Sequence, residues 1–210
     1  MSFAKDKFVV IKQVISPELT DFIYKYFLMK RTTAHTLHKY NYFENKKHYN
    51  IIGVWGDFQV PNAYSHYADI VMETLLLKVH PIMEKITKLK LYPSYSYARI
   101  YNKGNVLNRH MDRPSCEIST TINLGGDPWP IYLEPSGKLG KKGIKIDLKP
   151  GDMLVYRGCD LEHWRDEFKG ELCSQVFLHY NNKKTKNSKK NLFDGRPHLG
   201  LPSDIKNIKL

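Results

Sequence analysis

From residue 94 onward the chain is written as short apolar runs broken by turn-formers, and this limits its fold more than any other feature. The run SYSYARIY alternates as a half-buried strand does. STTINL, WPIYLEP, GIKIDL, DMLVYRG and CSQVFLHY follow it at short intervals. Gly, Pro, Asp and Ser punctuate these runs, and the KPGD at 149–152 is a strong turn signal. No internal repeat is visible. Short strands joined by tight turns predict an antiparallel sheet.

The sequence ahead of them has a helical texture. Over residues 16–31, Ser16 can cap, Pro17 suits the first helical position, and Leu19, Phe22, Ile23, Tyr26 and Phe27 form an apolar stripe. A second helical pattern fills residues 62–90, with Pro81 expected to kink or divide it. The stretch 32–61 is polar, aromatic and hard to assign. It carries His35, His38, His48 and Trp55, and segments of this kind beside a core often contact substrate. Helices first and sheet after suit an α+β or sandwich-like fold in which N-terminal helices brace a β-core. The expected organisation is one domain: a helical part over about 1–93, the β-core over about 94–181 and a basic irregular tail over about 182–210.

At 210 residues the chain can bury a real core. No apolar run approaches the roughly 18 residues of a membrane span, and the start lacks a signal-peptide apolar region, so a soluble cytoplasmic protein is expected. Cys116, Cys159 and Cys173 are odd in number and without CxxC spacing, which argues against a disulfide framework and for a reducing compartment. Lys plus Arg outnumber Asp plus Glu by 33 to 21, a balance that fits an acidic peptide or a nucleic acid equally well. Lys183, Lys184, Lys186, Lys189 and Lys190 crowd one stretch, either a solvated mobile segment or a polyanion-binding arm. No aromatic is interleaved with them, so the arm itself does not suggest base stacking.

Chemistry concentrates in His110, Asp112 and His163. Positions i and i+2 of an extended chain share a face, so His110 and Asp112 can offer an imidazole and a carboxylate to one ion. His163 lies 53 positions after His110, beyond the strand-like DMLVYRG, and can meet them in a closed sandwich. Two histidines and one carboxylate form the facial triad of non-haem Fe(II) oxygenases. A His-x-Asp alone occurs often by chance; its surroundings give it weight.

Those surroundings are YARIYNKGNVLNRHMDRP, STTINLGG, LKPGDMLVYRGCDLEHWR and QVFLHY. Together they resemble the Fe(II)/2-oxoglutarate-dependent dioxygenases, in particular the prolyl-hydroxylase-like branch, over about residues 94–181. The resemblance implies a double-stranded β-helix, jelly-roll or cupin-like, with the N-terminal helices packed outside. It implies iron on His110, Asp112 and His163, with Tyr101 hydrogen-bonding 2-oxoglutarate. It also implies oxygen as co-substrate, ascorbate as a candidate reductant, and oxidative decarboxylation to succinate coupled to substrate hydroxylation. A protein or peptide side chain such as proline is the first expectation for substrate. A small metabolite, a nucleic acid, or a cupin-type iron enzyme that does not use 2-oxoglutarate remain alternatives.

The chain departs from that branch at one place. A Lys or Arg about ten residues beyond the distal histidine normally pairs with the far carboxylate of 2-oxoglutarate. Counting from His163 reaches Leu172 and Cys173, with Gln175 the first strong polar donor. A buried carboxylate still needs a cation. Arg165 is the first candidate, because it shares a face with His163; Arg99, two residues before Tyr101, is the second. Lys169 and Arg157 are weaker. Arg113 can touch substrate, and Trp129 or Trp164 can wall the pocket. His35, His38, His48 and His66 match no compact zinc pattern, and His179 reads as a satisfied sheet histidine.

Overall fold

A computed structural model gives the fold; it describes residues 2–42 and 49–206, so His48 lies outside the described residues. In chain order the elements are α1 (Phe3–Asp6), β1 (Phe8–Ile11), α2 (Pro17–Lys39), α3 (Tyr49–Ile52), β2 (Val54–Trp55), β3 (Tyr64–Tyr67) and α4 (Ile70–Thr87). The strands β4 (Leu91–Asn102), β5 (Leu107–His110), β6 (Ile118–Gly126), β7 (Ile131–Leu133), β8 (Ile144–Ile146), β9 (Met153–Tyr156), β10 (His163–Arg165) and β11 (Leu172–Asn182) follow. Two 3-10 segments, Pro114–Cys116 and Ser188–Gly195, flank the sheet residues.

All pairings are antiparallel. A seven-stranded sheet runs β1-β9-β6-β11-β4-β3-β2, and a four-stranded sheet runs β5-β10-β7-β8. The helices cover the outer face of the larger sheet. Ile23 and Phe27 of α2 and Met72, Leu76, Val79 and Met83 of α4 pack against Ile100, Ile122, Val155, Val176 and Leu178. Side chains alternate along each strand, so Arg99 and Tyr101 of β4 and Gln175, Phe177 and His179 of β11 project to the side opposite that core. Strand β4 is therefore covered on both faces rather than half-buried, by helices on one side and the second sheet on the other.

Local chemistry explains most boundaries. Ser16 Oγ accepts from Leu19 N at 3.2 Å and Pro17 takes the first helical position, as expected. The helix then continues to Lys39, through the first eight residues of the unassigned stretch. Phe22 breaks the expected stripe, being 63% exposed. The second helix begins later than its pattern suggests, because residues 64–67 are strand β3 and Asp69 caps α4 through Met72 N. Pro81 neither divides nor ends α4. The hydrogen bond it forgoes would go to the carbonyl of Leu77, an exposed position within reach of solvent.

The buried carboxylate of Asp69 ties the layers together. It accepts from Tyr26 at 2.6 Å and pairs with Lys30 and His66, so α2 is fastened to the start of α4. The tail is partly built in. Arg196 grips Glu73 of α4 with two nitrogens, at 2.7 and 3.2 Å, both residues being almost fully buried. Among the described residues no helix is long and apolar enough to cross a membrane.

Candidate metal centre

His110 ends β5 and His163 opens β10, and the register places the two directly opposite one another. Their rings lie 4.2 Å apart. Each Nδ1 faces a backbone carbonyl two residues upstream: Asn108 at 2.7 Å for His110 and Leu161 at 3.1 Å for His163. A donor at Nδ1 leaves the Nε2 lone pair free. Both Nε2 atoms converge on Asp112 Oδ1, at 3.8 Å from His110 and 3.5 Å from His163. The three ligand atoms lie close enough together to hold one ion.

The other carboxylate oxygen is held separately. Asp112 Oδ2 accepts from Ser119 Oγ at 2.7 Å, and that hydroxyl lies 3.0 Å from His179 Nδ1. A hydroxyl has one proton, so with it on Asp112 the Ser119 oxygen accepts from a neutral His179. Burial pushes His179 down to about 4, in keeping with that neutral form. The backbone closes on Asp112 as well. Asp112 N donates to Gly158 O at 2.8 Å, and a Cβ on Gly158 would fall 2.3 Å from Asp112 Oδ2. Only glycine lets the chain pass so close to the carboxylate.

Electrostatics divide the three ligands. Burial works to raise Asp112, but His163, His179 and the Ser119 hydroxyl outweigh it and hold the carboxyl well below the usual range. Burial lowers His163, yet the Asp112 charge draws it upward overall. His110 is pushed down by burial and by His163. An ionised carboxylate beside two imidazoles whose Nε2 atoms face it is the donor set that borderline divalent iron accepts.

A cavity of about 460 Å³ opens beside these residues. Arg99, Leu107, Tyr156, His163 and Phe177 form part of its wall, and Phe58, Tyr67, Tyr95, Met111 and Arg113 stand elsewhere around it. His179 belongs to this lining too, so it is a pocket residue and not merely a sheet histidine.

The two arginine candidates differ in their partners. Arg99 forms an ion pair with Asp57, meets Gln59 at 3.3 Å and donates to the Tyr101 hydroxyl at 3.2 Å. Arg165 has no acidic partner among the described residues. Its Nη1 donates to the Trp129 carbonyl and its plane lies over the Trp129 ring at 5.0 Å, while Nε and Nη2 are buried without a hydrogen-bond partner. Its charge is felt at His163, Tyr156 and Cys173. Trp129, over whose ring the guanidinium lies, packs in one buried cluster with Cys173, the position ten residues after His163. Tyr101 is buried beside Trp129, with ring centroids 4.8 Å apart. Both ends of the Gln175 amide are engaged, by Thr121 at 3.1 Å and Cys173 at 3.2 Å. Tyr101, Trp129, Arg165 and Gln175 do not line the open cavity. Trp164 stacks on Tyr132 and under Arg109, away from it.

Arg113 lines the cavity and donates to Asp194 Oδ2 at 3.0 Å. Sequence reading missed Ser119, Gly158, Asp57 and Asp194. A Ser, a Gly or an Asp carries no signal by itself; their roles arise from pairings across strands.

No protein-family model matches the chain, and no curated protein sequence matches it significantly. Solved structures do. A prolyl-4-hydroxylase from Pseudomonas putida superposes with a TM-score of 0.60 at 10% identity, covering 86% of this chain and 95% of that one. SnoN, a non-heme alpha ketoglutarate dependent epimerase from nogalamycin biosynthesis, gives 0.62 at 11%, covering 86% and 79%. HygX from Streptomyces hygroscopicus, with nickel, 2-oxoglutarate and hygromycin B bound, gives 0.58 at 13%, covering 87% and 85%. At such identities the likeness establishes the fold, and that fold is the double-stranded β-helix.

Proposed function

We propose that the chain is an Fe(II)- and 2-oxoglutarate-dependent oxygenase. The observation that carries this reading is the convergence of two Nε2 atoms on one ionised carboxylate, inside the fold of proteins solved with such metals and co-substrates. His110, Asp112 and His163 would hold the ion, leaving positions open for co-substrate and oxygen. When bound, the metal and 2-oxoglutarate supply the oxidising power for hydrogen abstraction from substrate.

The chain's own residues do the rest. Ser119 occupies Asp112 Oδ2 and so presents Oδ1 alone to the metal. The carbonyls of Asn108 and Leu161 fix the imidazole tautomers. Arg165, buried two residues after His163 and outside the open cavity, keeps two N–H nitrogens without a partner, a cation that suits the far carboxylate of the co-substrate. Arg99 is already paired with Asp57, so its part is to anchor the 57–59 loop and the Tyr101 hydroxyl. Those orphaned donors favour 2-oxoglutarate over a cupin-type enzyme working without it.

The structural neighbours range from a prolyl-4-hydroxylase to an epimerase of nogalamycin biosynthesis and a protein that holds hygromycin B, so the substrate is proposed only as a hydroxylatable peptide side chain or small molecule. The test is uncoupled turnover. Anaerobic protein receives Fe(II) and 2-oxoglutarate, oxygen is admitted, and succinate is measured. Succinate that disappears with His110→Ala supports the reading; oxygen consumption without succinate rejects it.

A further inference from the structure

We propose that the lysine ridge at the end of β11 is a docking surface for single-stranded nucleic acid, which it leads toward the mouth of the metal cavity. The ridge is Lys183, Lys184, Lys186, Lys189 and Lys190, all exposed. None of the five forms an ion pair with a described residue. Lys85 and Lys88 add exposed charge at the end of α4. Lys90 is neutralised by Glu84 at 2.9 Å.

A string of solvated lysines ordinarily relieves its self-repulsion by spreading. Here the backbone is fastened. Lys183 N donates to Lys90 O at 2.8 Å, Lys184 N to Asn182 Oδ1 at 3.1 Å and Thr185 Oγ1 to Glu117 Oε1 at 2.8 Å. The fold thus holds five like charges together with the single Glu117 carboxylate at their base and no ion pair to any of them, and a polyanion relieves that repulsion by displacing condensed counterions. The following segment, Ser188–Gly195, runs from the ridge to Asp194, whose buried carboxylate holds Arg113 at the cavity.

The choice of an unpaired strand over an acidic peptide rests on Phe58. This cavity residue is 97% exposed, and its loop is stiff: Asp57 Oδ1 accepts from Gln59 N at 2.9 Å and Val60 N at 2.8 Å, while Oδ2 is held by Arg99 and Tyr97. An aromatic face carried on a hydrogen-bonded turn with open solvent around it suits stacking on a base, and only unpaired bases offer that face beside phosphates. The inference concerns what the surface holds and stands apart from the metal chemistry.

Binding is read by fluorescence anisotropy of a labelled deoxythymidine oligomer on the full chain. Five phosphate contacts on a single strand give a slope of about −3.5 in log K against log salt, a loss of about a hundredfold between about 50 and 200 mM. Converting the five lysines together to Gln is expected to weaken binding at low salt by at least about a hundredfold and flatten the slope, with melting unchanged. Phe58→Ala is expected to weaken single-strand binding at least about fivefold and leave duplex binding alone. The proposal is overturned if the five-lysine variant binds like the parent, if a duplex of equal length binds as tightly, or if Phe58→Ala has no effect. Equal displacement by a poly-glutamate peptide of the same charge would also overturn it and assign the ridge to an acidic protein.

Discussion

Replacing Arg165 with Met separates a structural arginine from one kept for a ligand. Arg165 is 1% exposed, and two of its three nitrogens find no partner in the free protein. Each buried donor left unsatisfied costs about 1–3 kcal/mol, so removing two regains about 2–6. Against that, the variant strips the Trp129 carbonyl of its donor, at about 1–3 kcal/mol. It also forfeits the stacking on Trp129, worth about 1–2 kcal/mol. The terms nearly cancel, so Arg165→Met is expected to melt within a few degrees of the parent, since 1 kcal/mol shifts Tm by roughly 2–4 °C at this size. The ligand response should differ sharply. With a redox-inert divalent ion and 2-oxoglutarate at about 100 times its Kd, the parent gains about 2.7 kcal/mol, or roughly 5–11 °C. The variant should gain nothing from the co-substrate while still responding to the metal. Scanning calorimetry in the four combinations reads all of this. Equal stabilisation of both proteins by 2-oxoglutarate would refute the assignment. A variant destabilised by several kcal/mol in the free state would show that Arg165 serves the fold.

Three further outcomes follow from the geometry. Gly158→Ala puts a methyl group against Asp112 Oδ2 and the Cys116 carbonyl, so metal affinity by calorimetric titration should fall at least tenfold; parent-like affinity would sink the close-approach argument. Arg196→Met leaves Glu73 buried without its cation, and urea unfolding should show a loss of about 3–5 kcal/mol, whereas a loss under about 1 would mean the tail contributes little to stability. Asp69 and Asp57 are both held below the ordinary carboxylate range: burial opposes this, but His66 and Lys30 outweigh it at Asp69, and Arg99 and Tyr97 at Asp57. A folded-state value below the unfolded one gives stability that is fully present above the unfolded value, near 4, and is lost as pH falls through the folded value. Stability should thus hold from neutrality to about pH 4 and decline below it, with a shallower decline in Asp69→Asn; an Asp69→Asn curve parallel to the parent's would contradict the sign.

The legible parts of the fold were those fixed by neighbours in sequence. Ser16 and Pro17 announce a helix start because capping involves residues three apart. The β runs announce themselves by alternation and by turns such as KPGD. The length of α2, the strand hidden in residues 64–67 and the survival of α4 across Pro81 were not legible, since tertiary contacts decide each of them. Arg99 and Arg165 looked nearly equivalent along the chain, each two residues from a candidate site residue. They separate because Asp57, 42 positions upstream, folds onto Arg99, while no carboxylate among the described residues pairs with Arg165.

By itself the sequence determined the candidate ligand types, the i, i+2 placement of His110 and Asp112, and the helix-then-sheet order, all properties of a few consecutive residues. Tertiary structure alone decided that His163 faces His110, that Ser119 and Gly158 close around Asp112, and that Arg165 is buried with donors to spare. Those relations join strands remote in sequence. Antiparallel register and burial set them, and no local pattern encodes which distant residue a buried charge will meet.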